Sequence, residues 1–213
     1  MKPVIFWGGA GQARVLREAL SDSDAAIVAV FDNRDIASPF ADVPIFHGEL
    51  GLRSWASGYN GQDPVYACVA IGGVGGSDRL NLMRRLSEQG YRPLTVIHPR
   101  AFVATDARLG EGCQVLALAA VCAGVKMGDG VIINTSASVD HDCVIGDGVH
   151  IAPGARVTGE VTVGDYAFVG AGAIVLPRIR VGACAVIGAG AVVTKDVAEG
   201  ATVTGNPAKP HQK

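Results

Sequence analysis

"VDHDCVIGDGVHIAPGARVTGEVTVGDYAFVGAGAIV", residues 139–175, repeats a six-residue pattern without a break. Val139, Ile145, Ile151, Val157, Val163, Val169 and Val175 follow one another at that spacing. In the N-terminal direction the same phase runs back through Ile133, Met127, Val121, Val115, Leu109 and Val103 to Ile97. In the other direction it continues through Val181 and Ile187 to Val193. Every position reached is aliphatic. A second position, four residues after each of these, is small or aliphatic, as at Ala101, Ala107, Cys113, Ala119, Ala185, Ala191 and Val197. Glycine often follows the aliphatic residue, as in "IGDG" (145–148), "VGAG" (169–172) and "IGAG" (187–190).

Two inward positions in six residues suit one short strand and one tight turn, with glycine supplying unusual backbone angles. A helical period of 3.6 residues fits none of it. Three such units close a triangular coil of about 18 residues, each coil pairing with the next at roughly 4.8 Å. The run from Ile97 to Val193 amounts to about 5.7 coils, a prism roughly 27 Å tall at that spacing.

Composition agrees with a backbone-dominated repeat. Of the 213 residues, 29 are glycine, 49% are hydrophobic and only 6% are aromatic. A net charge of -2 gives no reason to expect nucleic acid or an anionic membrane as partner. No apolar run reaches the length of a membrane span. Gly8, Gly9 and Gly11 interrupt the apolar N-terminus, and Arg14, Arg17 and Glu18 follow, so no secretory leader is expected. The five cysteines form no C-x-x-C pair, which points to reduced, mostly buried thiols and a cytoplasmic setting.

Before Ile97 the six-residue phase is absent and α/β alternation replaces it. "VIFWG" (4–8), "AAIVAVFDN" (25–33) and "PVYACVAIGG" (64–73) read as strands, while "ARVLREAL" (13–20) and "SDRLNLMRRLSEQG" (77–90) read as helices. That order predicts a small parallel sheet of Rossmann type over residues 1–94, followed by the coils and a tail over residues 95–213. "GGAGQAR" (8–14) departs from G-x-G-x-x-G, because Arg14 stands where the third glycine would be. A dinucleotide cofactor is therefore not expected. Backbone amides at a helix N-terminus still favour a phosphate or diphosphate. Asp32 and Asn33, at the end of the second strand, are placed to meet a ribose or base edge, and Gly72 and Gly73 close the same rim.

An α/β half, then coils ending in "GNPAKP" (205–210), resembles the hexapeptide-repeat nucleotide-sugar N-acetyltransferases. That family includes the bacillosamine-pathway and sialic-acid-related sugar acetyltransferases, with the perosamine N-acetyltransferases as the nearest branch. The resemblance covers essentially the whole chain, through "GGAGQA" (8–13), "VIHPRA" (96–101), "HDCVIGDGVH" (141–150) and "GNPAKP". It implies a left-handed parallel β-helix and a homotrimer with active sites between subunits. It also implies acetyl-CoA as cosubstrate, with no metal. The implied acceptor is a nucleotide-linked 4-amino-4,6-dideoxyhexose, GDP-perosamine first and UDP-linked amino sugars next, for a surface polysaccharide such as O-antigen.

Carried over by position, the resemblance makes His141 the catalytic base and Asp142 its partner. It assigns coenzyme contacts to His150, Ala171 and Ala189, and nucleotide-sugar contacts to Ala10, Gly11, Gln12, Asp32, Asn33 and Gly72. Many relatives carry a histidine where this chain has Gln12. An imidazole suits the chemistry, since it can accept the amine proton near neutral pH. Either Asp142 or Asp140 could orient the ring, and the family's acid favours Asp142. His98 reads as a junction residue.

Three rivals share the scaffold. A zinc enzyme needs three coil histidines, and the repeat offers only His141 and His150 with His98 at its edge. O-acetylation of a hydroxyl is compatible with the coils, and so is a non-catalytic nucleotide-binding scaffold.

Overall fold

The computed structural model describes residues 1–211. The first part is an open, all-parallel sheet of β1 (Lys2–Trp7), β2 (Ala25–Asp32), β3 (Ile45–His47), β4 (Tyr66–Val69) and β5 (Arg92–Pro93). Its order is β3-β2-β1-β4-β5. The helices are α1 (Gly11–Ala19), α2 (Gly48–Gly58) and α3 (Gly76–Glu88). Because strand side chains alternate, Val4 and Phe6 of β1 pack with Ala13 and Leu16 of α1, while Ile5 and Trp7 pack with Leu52 of α2 and Leu80, Met83 and Leu86 of α3. A parallel sheet covered on both faces needs continuous apolar strands, and "VIFW" supplies one.

The sequence reading had no place for β3 or α2. A three-residue strand carries no period, and Gly48, Gly51 and Gly58 weaken the helical signal of 48–58. Packing overrides that weakness. Leu52 is buried and Gly51 lets the helix approach Phe46, where a Cβ would come within 2.8 Å of the Phe46 Cβ.

The second part is the left-handed parallel β-helix. Its two-residue strands stack in three faces at the 18-residue spacing, as in Ile133↔Ile151, Val139↔Val157 and Ile145↔Val163. The first face carries Gln114, Ile132, His150 and Phe168 outward, the second Ala120, Ser138 and Arg156, and the third Lys126, Val144 and Thr162. The hexad positions from Val115 to Val193 point inward and are buried. Ile97 departs from this and is 46% exposed, because no coil lies beneath the first turn to cover it. At the far end Ile187 pairs with Val203, and "VTGNPAKP" folds into an antiparallel pairing of Val203 with Pro210 that closes the prism.

Each corner of the prism turns through left-handed backbone: Gly148 between the third and first faces, Gly154 between the first and second, and Asp142 between the second and third. The α/β part packs on the first face, where Val96, Leu116 and Ile132 share a core with Val4, Phe6 and Leu16. Gly76 opens α3 directly against Gly148, and a Cβ on Gly76 would overlap the Gly148 carbonyl oxygen.

Polar links fix the same junction. The fully buried Arg79 donates from Nε to the Gly130 oxygen at 2.7 Å, from Nη2 to the Gly148 oxygen at 2.7 Å, and from Nη1 to the Ile71 oxygen at 2.8 Å. Among the described residues no carboxylate pairs with it, and the carbonyl dipoles solvate its charge. Burial pulls Arg79 down to about 10, so it stays charged at neutral pH. Gln12 Nε2 donates to Gln114 Oε1, and Gln114 Nε2 donates to the Val69 oxygen. His98 accepts from the Arg100 amide at Nδ1, so its Nε2–H faces Glu18 of α1 at 3.0 Å.

Candidate active site

His141 and Asp142 occupy the corner between the second and third faces. The backbone turns there with φ of 57° at Asp142, a conformation that aspartate tolerates better than most residues. The His141 side chain is 53% exposed, and its Nδ1 lies 3.0 Å from Asp142 Oδ2. The Asp140 carboxylate instead accepts from the His141 backbone amide at 2.7 Å. The two acids thus divide their work, Asp140 shaping the turn and Asp142 holding the ring. With Nδ1–H donated to Asp142, Nε2 carries the free lone pair. The hydrogen bond to Asp142 raises the imidazole pKa above its ordinary value, opposed by burial and helped by the charges of Asp140, Asp142 and Glu160.

Gly159 lies one coil above His141, and a Cβ there would overlap the imidazole ring. Glycine is required at this position by the ring itself, since its own φ is not left-handed. Gly159→Ala is expected to displace the imidazole and lower kcat about tenfold or more while leaving the coil folded, because misplacement of reacting groups by ~1 Å is costly. Turnover compared with far-ultraviolet circular dichroism checks this.

The expected nucleotide-sugar residues gather on the opposite side of the prism, in the α/β part. Ala10, Gln12, Asp32, Asn33 and Gly72 line a cavity of about 540 Å³ with Gly8, Arg34 and Ile71. Gly11 lies beside it as the first residue of α1. That helix has no side-chain cap and no acidic residue in its first turn; the Ala13 amide donates to the Ala10 oxygen, and among the described residues the Gly11 and Gln12 amides are left for an anion. Asp32 is buried, and its carboxylate accepts from the Gly9 amide at 2.8 Å and from Arg34. These bonds, chiefly the Arg34 guanidinium, hold its pKa far below the carboxylate range despite burial. A larger groove of about 750 Å³ lies behind α1, beside Arg17 and Phe40. Its lining includes none of the loop glycines, and one of its two arginines is engaged, Arg17 being paired with Asp42 and stacked on Phe40.

His150 is 5% exposed and sits beneath the glycine loop. Its Nδ1 is 3.1 Å from the Gly73 oxygen, so that nitrogen bears the proton and Nε2 accepts from Asn134 at 3.0 Å. Burial lowers its pKa to about 4, and it is neutral at physiological pH. Its ring stands edge-on to Phe168. Ala171 and Ala189 are exposed and lie one coil apart beside the corner between the first and second faces. The structure therefore places His150 behind Gly72 and Gly73, outside the lining of the glycine-rich cavity, and stacks Ala171 with Ala189. His141 belongs to neither group, because its corner is the one opposite the face that carries the α/β part.

Buried Cys68, Cys113 and Cys143 have thiols pushed up to about 12, 11 and 11 by desolvation, which removes them as nucleophiles near neutral pH. Among the described residues no group of three or more His, Cys, Asp or Glu is placed to hold a metal ion, and no helix is long and apolar enough to cross a membrane.

Sequence reasoning missed Arg34, Arg79 and Gln114. Nothing in a linear pattern distinguishes a basic residue that is buried, or one held flat by its neighbour, from a solvated one.

Comparison with known proteins agrees with this architecture. The family of bacterial transferase hexapeptide repeats (six repeats) matches residues 124–159 and 160–195. No curated protein matches in sequence. Perosamine N-acetyltransferase from Caulobacter crescentus, solved with CoA and GDP-perosamine, is 35% identical with a TM-score of 0.88, covering 100% of this chain and 98% of that one. Its H141N and H141A variants match equally well. The acetyltransferase domain of PglB from Neisseria gonorrhoeae, also solved with acetyl coenzyme A, is 33% identical with a TM-score of 0.88, covering 99% of each chain. WeeI from Acinetobacter baumannii is 26% identical with a TM-score of 0.85, covering 99% of this chain and 100% of that one. The chain belongs to the hexapeptide-repeat sugar N-acetyltransferase family.

Proposed function

We propose that the protein transfers acetyl from acetyl-CoA to the 4-amino group of a nucleotide-linked 4-amino-4,6-dideoxyhexose, with GDP-perosamine the preferred acceptor. The observation that carries this reading is the His141–Asp142 pair on an exposed corner, with Nε2 unengaged among the described residues and Gly159 admitting the ring. The Caulobacter relative, altered to Asn or Ala at its own residue 141, was solved with GDP-perosamine.

The amine nitrogen attacks the thioester carbonyl carbon, His141 Nε2 accepts the proton, and Asp142 stabilises the imidazolium that forms. Collapse of the tetrahedral intermediate breaks the C–S bond. The departing thiolate takes the proton back from His141, leaving amide and CoA.

Residues 1–94 bind the nucleotide sugar in this reading, with the diphosphate at the start of α1, and residues 95–213 carry the coenzyme and the base. His150, Ala171 and Ala189 are the proposed coenzyme contacts, His150 through the small part of its ring left exposed. The cavity lies over the first face while His141 projects from the corner opposite it. A complete site therefore needs His141 from a second copy, and a homotrimer with sites between subunits meets that need. The proposed setting is the cytoplasm, in the assembly of a surface polysaccharide precursor.

Thiol release from acetyl-CoA, measured with GDP- and UDP-linked 4-amino sugars, tests the reaction. Turnover with the GDP-linked amine supports it, and no turnover with any nucleotide-linked amine overturns it. The neutral imidazole is the active form, so kcat/KM is expected to fall as pH drops through a pKa above about 6.5. Asp142→Asn removes the largest cause of the upward shift and is expected to move that acid limb to lower pH, which a pH–rate profile reads directly.

A further inference from the structure

We propose that Arg34, and not Asp32, reads the nucleotide in the glycine-rich cavity, and that it selects a base presenting two adjacent hydrogen-bond acceptors, such as the O6/N7 edge of guanine. The inference rests on the nucleotide-sugar reading and sharpens it. Asp32 ends β2 at the cavity wall, where a carboxylate is expected to accept from a ribose or base. It is already saturated. Its two oxygens take four hydrogen bonds, from the Gly9 amide, the Arg34 amide, Arg34 Nε and Arg34 Nη2, at 2.8–2.9 Å. An ionised carboxylate has about four lone-pair sites, so none is left for a ligand.

What Asp32 does instead is hold Arg34 rigid. The guanidinium lies side-on to the carboxylate through Nε and Nη2, which fixes its plane. The side chain is 61% exposed and lines the cavity. Nη1 and the second Nη2 hydrogen make no contact among the described residues, leaving a donor-only edge for the ligand. Location separates the base from the diphosphate. The free amides of α1 begin at Gly11 after β1, whereas Arg34 follows β2, one strand further toward the β3 edge of the sheet. A diphosphate on α1 puts the nucleoside over β2.

A donor-only pair suits guanine, whose O6 and N7 are neighbouring acceptors. Uracil is poorly matched, because an N3–H donor stands beside each of its carbonyl oxygens. Asp32 is then a positioning residue that acts through Arg34.

Calorimetric binding of GDP, UDP and inorganic pyrophosphate to the full chain tests this. Arg34→Ala is expected to weaken GDP on the order of tenfold to a hundredfold and UDP by less than about threefold. Arg34→Lys keeps the charge but not the fork, and should recover only part of the GDP loss. Asp32→Asn should reproduce the GDP loss alone and add little in an Arg34→Ala background. In turnover, KM for the GDP-linked amine should rise more than kcat falls. Equal weakening of GDP, UDP and pyrophosphate would assign Arg34 to diphosphate charge and overturn base selection. No change with any ligand would overturn the role of Arg34 alone. A wild-type chain that binds neither nucleotide would overturn the nucleotide-sugar reading together with this inference.

Discussion

Replacing His141 with asparagine is expected to lower kcat about 100- to 10,000-fold, the range that a positioned general base contributes. Asparagine preserves the polar contact with Asp142 and fits below Gly159, yet its amide cannot accept a proton from the attacking amine. The loss should therefore fall on kcat, with KM for both substrates within a few-fold. The corner should stay intact, since the side chain is exposed and Asp140 holds the turn through the backbone amide of residue 141. Thiol release under saturating substrates measures the effect. Retained turnover would remove His141 as the base and turn attention to a substrate amine that is already neutral.

Arg79→Met is expected to be the most damaging substitution away from the reacting atoms. Methionine fills a similar volume and offers no donor, so the oxygens of Gly130 and Gly148 lose a charged partner in a buried site and that of Ile71 loses one in a partly buried site. Unsatisfied buried carbonyls cost about 1–3 kcal/mol each, and some relaxation is available, so a loss of about 3–5 kcal/mol in unfolding free energy is expected. Trp7 and Trp55 both lie in the α/β part, so their fluorescence follows its unfolding in urea, while circular dichroism follows the coils. The expected signature is earlier loss of the fluorescence transition. Arg79→Lys should restore only part, because one ammonium cannot reach three carbonyls fixed by a planar fork.

The coils were legible in the sequence because one inward position recurs every six residues and each recurrence is independent evidence of the same geometry. The His141 corner was legible only through a resemblance. Without it, an exposed histidine among small residues carries no signature. Between Ile45 and Gly58 the sequence was silent, since helix α2 forms against propensity by packing Leu52 into a core shared with β1. The junction was illegible for a different reason. Arg79 occupies an ordinary place on an amphipathic helix and is buried only because Gly76 brings that helix onto Gly148. Gln12 and Gln114 meet across 102 residues of chain. Asp32 was read as a ligand contact, since a strand-end acid in a Rossmann-like sheet invites that reading. Its occupancy by Arg34 depends on a side-chain rotamer that no spacing rule predicts.

The clamp of Arg79 onto Gly130 and Gly148 has a further consequence. Those two corners flank the coil that contains His141, so the α/β part is docked at the level of the base, on the far side of the prism. Rotation about an axis parallel to the prism leaves height unchanged. In the proposed ring of copies around such an axis, each cavity would lie at the height of a neighbour's imidazole. The coil stack thus acts as a graduated scale with steps of about 4.8 Å, and the arginine fixes the graduation at which the α/β part is docked.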